Sequence, residues 1–377
     1  MNLCFVTYQF KTGGVERVFC ALARELAEHN IKLITVTSNY DVMLENIPSN
    51  VEIINIHNWR VFRMLSSAKS RLPFLSSLIT PLYLILEIIC VRCSRKFSNT
   101  TFINFSDTIS SILLSYYGSH QKKVYSWLHF NPLTINSSRF KKLYHYVYRR
   151  FYKIICICNE QLELMSSTVP GVDNEKLTVV YNILDYNEMI GLSEQPVDFD
   201  SDYIVMVARF DKRSKDFETL IKAYTDLPEE IKNTYKLVFV GDGPDLSEVK
   251  NGLHDNKEKR NICFVGMQEN PYKWIRNATI LVHSSKTEGL PTVLLEALAC
   301  KTPVISTMCQ TGPIEILNHG EAGILVPVGD DKSMNEAMEL LLTNEELRNK
   351  YIDNGTKQLA NFSKEVILDK INTLWKA

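Results

Sequence analysis

The sequence predicts an α/β protein made of two doubly wound domains in tandem, and three observations carry that prediction. Short β-type apolar runs alternate with stretches of helical periodicity, the signature of parallel βαβ units. The alternation falls into two series, separated at 191–202 by GLSEQPVDFDSD, which is polar and poor in periodic apolar residues. The length, 377 residues, suits two domains at about 150 residues apiece.

In the first series the strands are LCFVT (3–7), KLITV (32–36), VEIINI (51–56), TFINF (101–105), VYSWL (124–128) and IICIC (154–158), with a helix from Val15 to Glu28 after the first. In the second they are YIVMVA (203–208), KLVFVG (236–241), NICFVG (261–266), TILVHS (279–284), TPVIS (302–306) and GILVPV (323–328). Helices are expected near 215–226, 245–253, 291–300 and 331–343, with two more to the C-terminus. The expected domains are 1–190 and 200–360, with a last helix over 361–377 crossing back to the first. Two such domains facing each other place a ligand cleft between the carboxyl ends of both sheets.

Composition removes several classes. Fifteen glycines and 13 prolines are too few for a collagenous or disordered chain, and a formal charge of -1 excludes a globally basic nucleic-acid binder. The nine cysteines are odd in number and mostly lie in apolar runs, as in IICIC, so they read as reduced and buried in a cytosolic protein. The N-terminal MNLCFVTYQF has no basic region and reads as a first strand. The longest apolar stretch, Leu72 to Val91, carries Pro73, Pro81 and Glu87, a composition that argues against a membrane span.

The charge is unevenly spread. From His57 to Ile154 there are fifteen Lys or Arg against only Glu87 and Asp107, a net of +13 that leaves about -14 for the rest. A basic, aromatic first domain suggests a surface that meets anionic lipid, with a solvated basic face as the plainer reading. The expected location is cytoplasmic and peripheral, on the inner face of the cell membrane.

Three segments carry chemistry. In KTGGVERV (11–18), Gly13-Gly14 lies between the first strand and the first helix, where the backbone can approach an anionic ligand. A plain tight turn explains the pair equally well, and the dinucleotide fingerprint G-x-G-x-x-G is absent. In ARFDKRSKDFETLIKAY (208–224), Arg209 and Lys215 bracket a strand-to-helix loop, and two cations there suit a diphosphate as well as they suit solvated surface charge. In HSSKTEGLPTVLLEALACKTPVIS (283–306), Glu288-Gly289-Leu290-Pro291 form a turn with Pro291 fitting the first helical position, and the helix start can meet a phosphate. Glu296, two turns into that helix, is wrapped in the apolar LLEALA, where a carboxylate needs a partner.

With these residues in place the chain resembles the GT-B glycosyltransferases, specifically the retaining family 4 type, over nearly its whole length. The likeness rests on the Gly13-Gly14 loop, on Arg209 with Lys215, on GDGP (241–244), on Glu288 and Glu296 in an E-x7-E pair, and on AGILVPVGD (322–330). SWLHF and TGPIEIL look like bacterial transferases of lipopolysaccharide, O-antigen or capsule.

The resemblance implies two Rossmann-like domains across a cleft, with the acceptor on the first and the nucleotide-sugar on the second. It further implies that Arg209 and Lys215 hold the donor diphosphate and stabilise the leaving group. Glu288 would contact donor sugar hydroxyls and Glu296 the ribose. Backbone amides of Gly289, Leu290 and the residues after Pro291, Thr292 first, would meet phosphate or sugar, and His129 of SWLHF would face the reacting sugar.

The implied reaction is transfer of a hexose or N-acetylhexosamine from a UDP-sugar, with retention by front-side attack, to a lipid-linked or lipopolysaccharide acceptor. Galactose is slightly favoured, no metal or other cofactor is expected, and no nucleic acid partner. A GDP-sugar donor and a catalytically silent scaffold are the alternatives. One departure stands out: the family usually has glycine where this chain has Lys301, which is expected to alter the loop after the helix.

Overall fold

The computed structural model describes residues 1–8, 10, 14–36, 47–55, 76–106, 108–121, 123–253 and 259–376. The chain divides into two compact units, Met1–Ile183 and Leu184–Ala377, each with its own core. The division falls ahead of the polar 191–202 segment.

In the first unit the elements run β1 (Asn2–Thr7), α1 (Gly14–Glu25), β2 (Asn30–Thr35), β3 (Val51–Asn55), α2 (Ser76–Cys93), β4 (Thr101–Asn104), α3 (Ile109–Gly118), β5 (Val124–Trp127), α4 (Thr134–Ser137), α5 (Lys141–Tyr148), β6 (Lys153–Cys156), α6 (Asn159–Thr168) and β7 (Leu177–Val179). All neighbouring strands are parallel, in the order β3-β2-β1-β4-β5-β6-β7. The near-continuous apolar runs of these strands follow from that arrangement, since a sheet covered by helices on both faces must be apolar on both. Phe5, Phe19, Phe105 and Trp127 meet edge to face across one side of the sheet, at centroid separations of 5.3 to 5.9 Å. Among the described residues the one strand the sequence does not predict is β7, whose three residues are too few to show a period.

In the second unit the elements run α7 (Tyr186–Ser193), β8 (Asp202–Val207), α8 (Phe217–Thr225), α9 (Glu229–Thr234), β9 (Tyr235–Val240), α10 (Leu246–Asn251), β10 (Ile262–Gly266), α11 (Tyr272–Arg276), β11 (Ile280–His283), α12 (Thr292–Ala299), β12 (Val304–Thr307), α13 (Pro313–Ile316), β13 (Ile324–Val326), α14 (Asp331–Thr343), α15 (Glu345–Gln358) and α16 (Lys364–Lys376). Six parallel strands take the order β10-β9-β8-β11-β12-β13. The chain thus winds outward from β8 to β10, returns across the sheet, and winds outward again from β11. Its point of reversal lies between β8 and β11, and the carboxyl ends of the strands at such a point are where open α/β sheets take their ligands.

One local prediction is corrected. Pro291 is the residue before the helix and not its first position: its ψ of 95° is extended, and α12 begins at Thr292. Proline's fixed φ suits either place, and with no N–H of its own it leaves no donor unsatisfied there.

Candidate active site

Most of the candidate residues leave the adjacent ends of β8 and β11. Arg209 and Lys215 lie in the loop between β8 and α8, and Glu288 to Pro291 in the loop between β11 and α12. Thr292 and Glu296 are within α12. An antiparallel bridge between Lys215 and Ser285 ties the two loops together, and the Asp216 amide donates to the Ser284 carbonyl at 3.0 Å.

The β8 loop takes its shape from GDGP. A Cβ on Gly241 would lie 2.0 Å from the Ala208 carbonyl oxygen, and one on Gly243 2.4 Å from that of Phe210, so only glycine lets the two chains approach. The Phe210 amide donates to the Asp242 carbonyl at 3.0 Å, and the Asp245 amide to that of Phe210 at 3.1 Å. These bonds hold the backbone on either side of Arg209.

The four cations of this loop have different fates. Lys212 pairs with Glu218 at 2.6 Å and Glu248 at 2.9 Å, and Arg213 pairs with Asp211 at 2.7 Å. The Arg213 guanidinium beside Asp211 draws that carboxyl down to about 2. Arg209 is exposed and makes no hydrogen bond or ion pair among the described residues. Lys215 turns inward, only 14% exposed, and forms an ion pair with Glu288, which is 15% exposed. Three of the four cations are therefore paired with acids and Arg209 is unpaired among the described residues; Arg209 and the inward-turned Lys215 are the candidate diphosphate ligands.

Glu288 is the hub of a small polar network. Its Oε1 takes the Lys215 ammonium and lies 3.1 Å from His283 Nε2. Burial works to raise the Glu288 carboxyl, but the Lys215 charge and the His283 bond outweigh it, so the group is held well below the ordinary carboxylate range. Burial depresses the His283 ring, which is therefore neutral. A carboxylate can only accept, so this ring carries its proton on Nε2, and Ser306 Oγ donates to Nδ1 at 2.9 Å. The Glu288 backbone is clamped as well: its amide donates to the Gln310 carbonyl at 2.6 Å and its carbonyl accepts from the Thr311 amide at 3.1 Å. Glu288 is thereby a fixed, permanently charged acceptor.

The start of α12 supplies donors beside it. The amides of Thr292 and Val293 have no backbone acceptor among the described residues, and the N-terminal dipole adds partial positive charge. Gly289 and Leu290 occupy the turn before, where the Thr311 hydroxyl donates to the Gly289 carbonyl. Glu296, only 5% exposed, accepts from Thr292 Oγ1 at 3.1 Å, which supplies a partner of the kind its burial requires.

The remaining candidates belong to the first unit. Gly13 lies outside the described residues, and Gly14 opens α1. His129 follows the end of β5, its ring 4.3 Å from that of Phe105. Its Nε2 is buried without a hydrogen-bond partner among the described residues, and burial lowers the ring to about 3, so it is neutral near pH 7. Sequence reasoning did not single out His283. The available signal was a histidine closing the apolar strand TILVH, five residues before Glu288.

Loops at a point of strand reversal that carry the exposed Arg209, the Lys215–Glu288 ion pair and a helix start define a class of α/β enzyme that binds a phosphorylated, hydroxyl-bearing ligand. Comparison with known proteins says which. Residues 193–358 match the family described as Glycosyl transferases group 1. An uncharacterized glycosyltransferase of Methanocaldococcus jannaschii is 28% identical over 367 residues, spanning 83% of this chain and 86% of that protein. The GalNAc-alpha-(1->4)-GalNAc-alpha-(1->3)-diNAcBac-PP-undecaprenol alpha-1,4-N-acetyl-D-galactosaminyltransferase of Campylobacter jejuni is 23% identical over 368 residues, spanning 96% of this chain and 94% of its own. The crystal structure of Anabaena HepE with UDP and glucose has the same fold over the whole of both chains, with a TM-score of 0.78 at 15% identity. The chain is a glycosyltransferase of the GT-B fold, and its second unit carries the group 1 glycosyl transferase domain.

Proposed function

We propose that the chain is a retaining, metal-independent transferase of the family 4 type. It moves a hexose or N-acetylhexosamine from a UDP-sugar to a lipid-linked or lipopolysaccharide glycan at the cytoplasmic face of the membrane. The observation that carries this reading is the sorting of the β8-loop cations. Lys212 and Arg213 pair with acids of their own loop and of its neighbouring helices, Arg209 has no partner among the described residues, and Lys215 turns inward onto Glu288. Arg209 and Lys215 are thus the two cations offered to a diphosphate beside the proposed sugar site.

In this reading Arg209, Lys215 and the α12 amides stabilise the charge that grows on the departing diphosphate, the largest contribution such a site makes. Fixed protein cations do there what a bound metal does in other transferases. Glu288 accepts hydroxyl hydrogens of the donor sugar, and because it stays ionised it cannot serve as the proton donor. Glu296 accepts from the ribose. Attack comes from the face the diphosphate leaves, and a diphosphate oxygen takes the acceptor proton. His129, neutral and with an unpartnered nitrogen, bonds a hydroxyl of the reacting sugar. The uridine choice draws support from HepE, solved with UDP, and the lipid-linked acceptor from the named substrate of the Campylobacter relative.

The test is mass-spectrometric detection of sugar released to water from a panel of UDP-, GDP- and ADP-sugars. Release from one UDP-sugar is expected, reduced on the order of a hundredfold to a thousandfold by Lys215→Ala and little changed by Lys212→Ala. Release confined to GDP- or ADP-sugars overturns the donor. Equal release by wild type and Lys215→Ala overturns the diphosphate site.

A further inference from the structure

The charge asymmetry of the first unit has a definite location on its surface. Between Thr108 and Asn159 there is no acidic residue, while Lys122, Lys123, Arg139, Lys141, Lys142, Arg149, Arg150 and Lys153 fall in that span. Within it, α5 is sharply two-sided. Tyr144, His145, Val147 and Tyr148 are buried against the core, while Lys141, Lys142, Tyr146, Arg149 and Arg150 are exposed.

Large apolar side chains stand out among the charges. Leu133 is 40% exposed, Phe140 39% and Tyr146 44%. They are held in place: the Arg139 guanidinium lies 4.8 Å from the Phe140 ring centroid and that of Arg150 3.5 Å from Tyr146. Tyr117, near the end of α3 and 38% exposed, neighbours Tyr146. Where Tyr117 ends α3, Arg92 of α2 reaches its carbonyl at 3.0 Å, and one turn back along α2 Ile89 is 49% exposed. No helix of the described residues is long and apolar enough to cross a membrane.

A solvated basic face has no use for a row of exposed Leu, Phe and Tyr. Cations interleaved with amphipathic rings match the headgroup layer of an anionic bilayer, where guanidinium groups meet phosphates and rings enter the interface. We propose that the exposed residues of the segment that runs from the start of α4 through α5, Leu133, Arg139, Phe140, Lys141, Lys142 and Tyr146, dock the first unit onto an anionic lipid bilayer. The biological use of this contact rests on the lipid-linked acceptor proposed above, but the contact itself does not.

The experiment is sedimentation of the full chain with phosphatidylcholine vesicles, with and without phosphatidylglycerol, carrying neither donor nor acceptor. Binding is expected only to the anionic vesicles and is expected to weaken with salt. Arg139→Gln, Lys141→Gln and Lys142→Gln together should weaken partitioning about a hundredfold, at roughly fivefold per charge. Leu133→Ser with Phe140→Ser should weaken it about tenfold and leave the remainder more salt-sensitive. All five side chains are exposed, so an unchanged melting temperature shows that these variants fold. Equal recovery with both vesicle types, no recovery with either, or full binding by either variant set would overturn the proposal. Donor-independent vesicle binding by a chain that fails every sugar-release assay would leave the docking face standing and remove the proposed reaction.

Discussion

At the scale of single residues, identical side chains acquire different roles from partners that lie far away in sequence. Lys212 and Lys215 are three positions apart and indistinguishable as letters, yet one is neutralised by Glu248 of α10 and the other pairs with Glu288. The sequence shows four cations in a strand-to-helix loop. It cannot show that the pairing of β8 with β9 brings Glu248 to Lys212. His129 follows the same logic, because its chemistry is set by burial. The folded ring titrates at about 3 and an unfolded one near 6.5. Between those values the unfolded chain binds the extra proton, so stability falls as pH drops through the window. Above pH 6.5 the group contributes no pH dependence. Chemical denaturation at several pH values should show His129→Phe losing up to about 1.4 kcal/mol less per pH unit than wild type across this interval. Parallel curves would mean that the ring is open to solvent in the folded protein.

At the scale of elements, strands and helices were largely legible because buried parallel strands write themselves as apolar runs, and β7 was lost only through its shortness. Helix ends were less legible. Lys301, expected to disturb the loop after α12, instead takes the left-handed conformation a glycine would take, at φ 59°. The helix closes normally around it, with Lys301 N–H donating to the Leu298 carbonyl at 3.1 Å and Thr302 N–H to that of Ala297 at 2.9 Å, the paired bonds of a Schellman motif. The expected distortion is absent because left-handed backbone is costly for lysine but not forbidden. Lys301→Gly should therefore stabilise the protein by about 1 kcal/mol, less what glycine adds to the entropy of the unfolded chain. Thermal or urea unfolding reads this directly, and a destabilised variant would show that the lysine side chain makes a compensating contact.

At the scale of the whole molecule, Arg209, Lys215, Glu288 and Glu296 all lie after Leu184, in a unit with its own sheet and core. Residues 184–377 produced alone should fold and bind a nucleoside diphosphate, measured by calorimetry, but transfer no sugar if His129 has the role proposed for it. Failure to bind would show that the donor site needs the first unit. The division at Ile183 also has an electrical consequence. Twenty Lys and Arg against twelve Asp and Glu precede it, a formal +8, and twenty-two against thirty-one follow, a formal -9. The intact chain, at a net -1, scarcely migrates in a neutral field, and that near-neutrality conceals two bodies of opposite sign. A single cut between them would release fragments that move toward opposite electrodes and are retained by opposite ion-exchange resins.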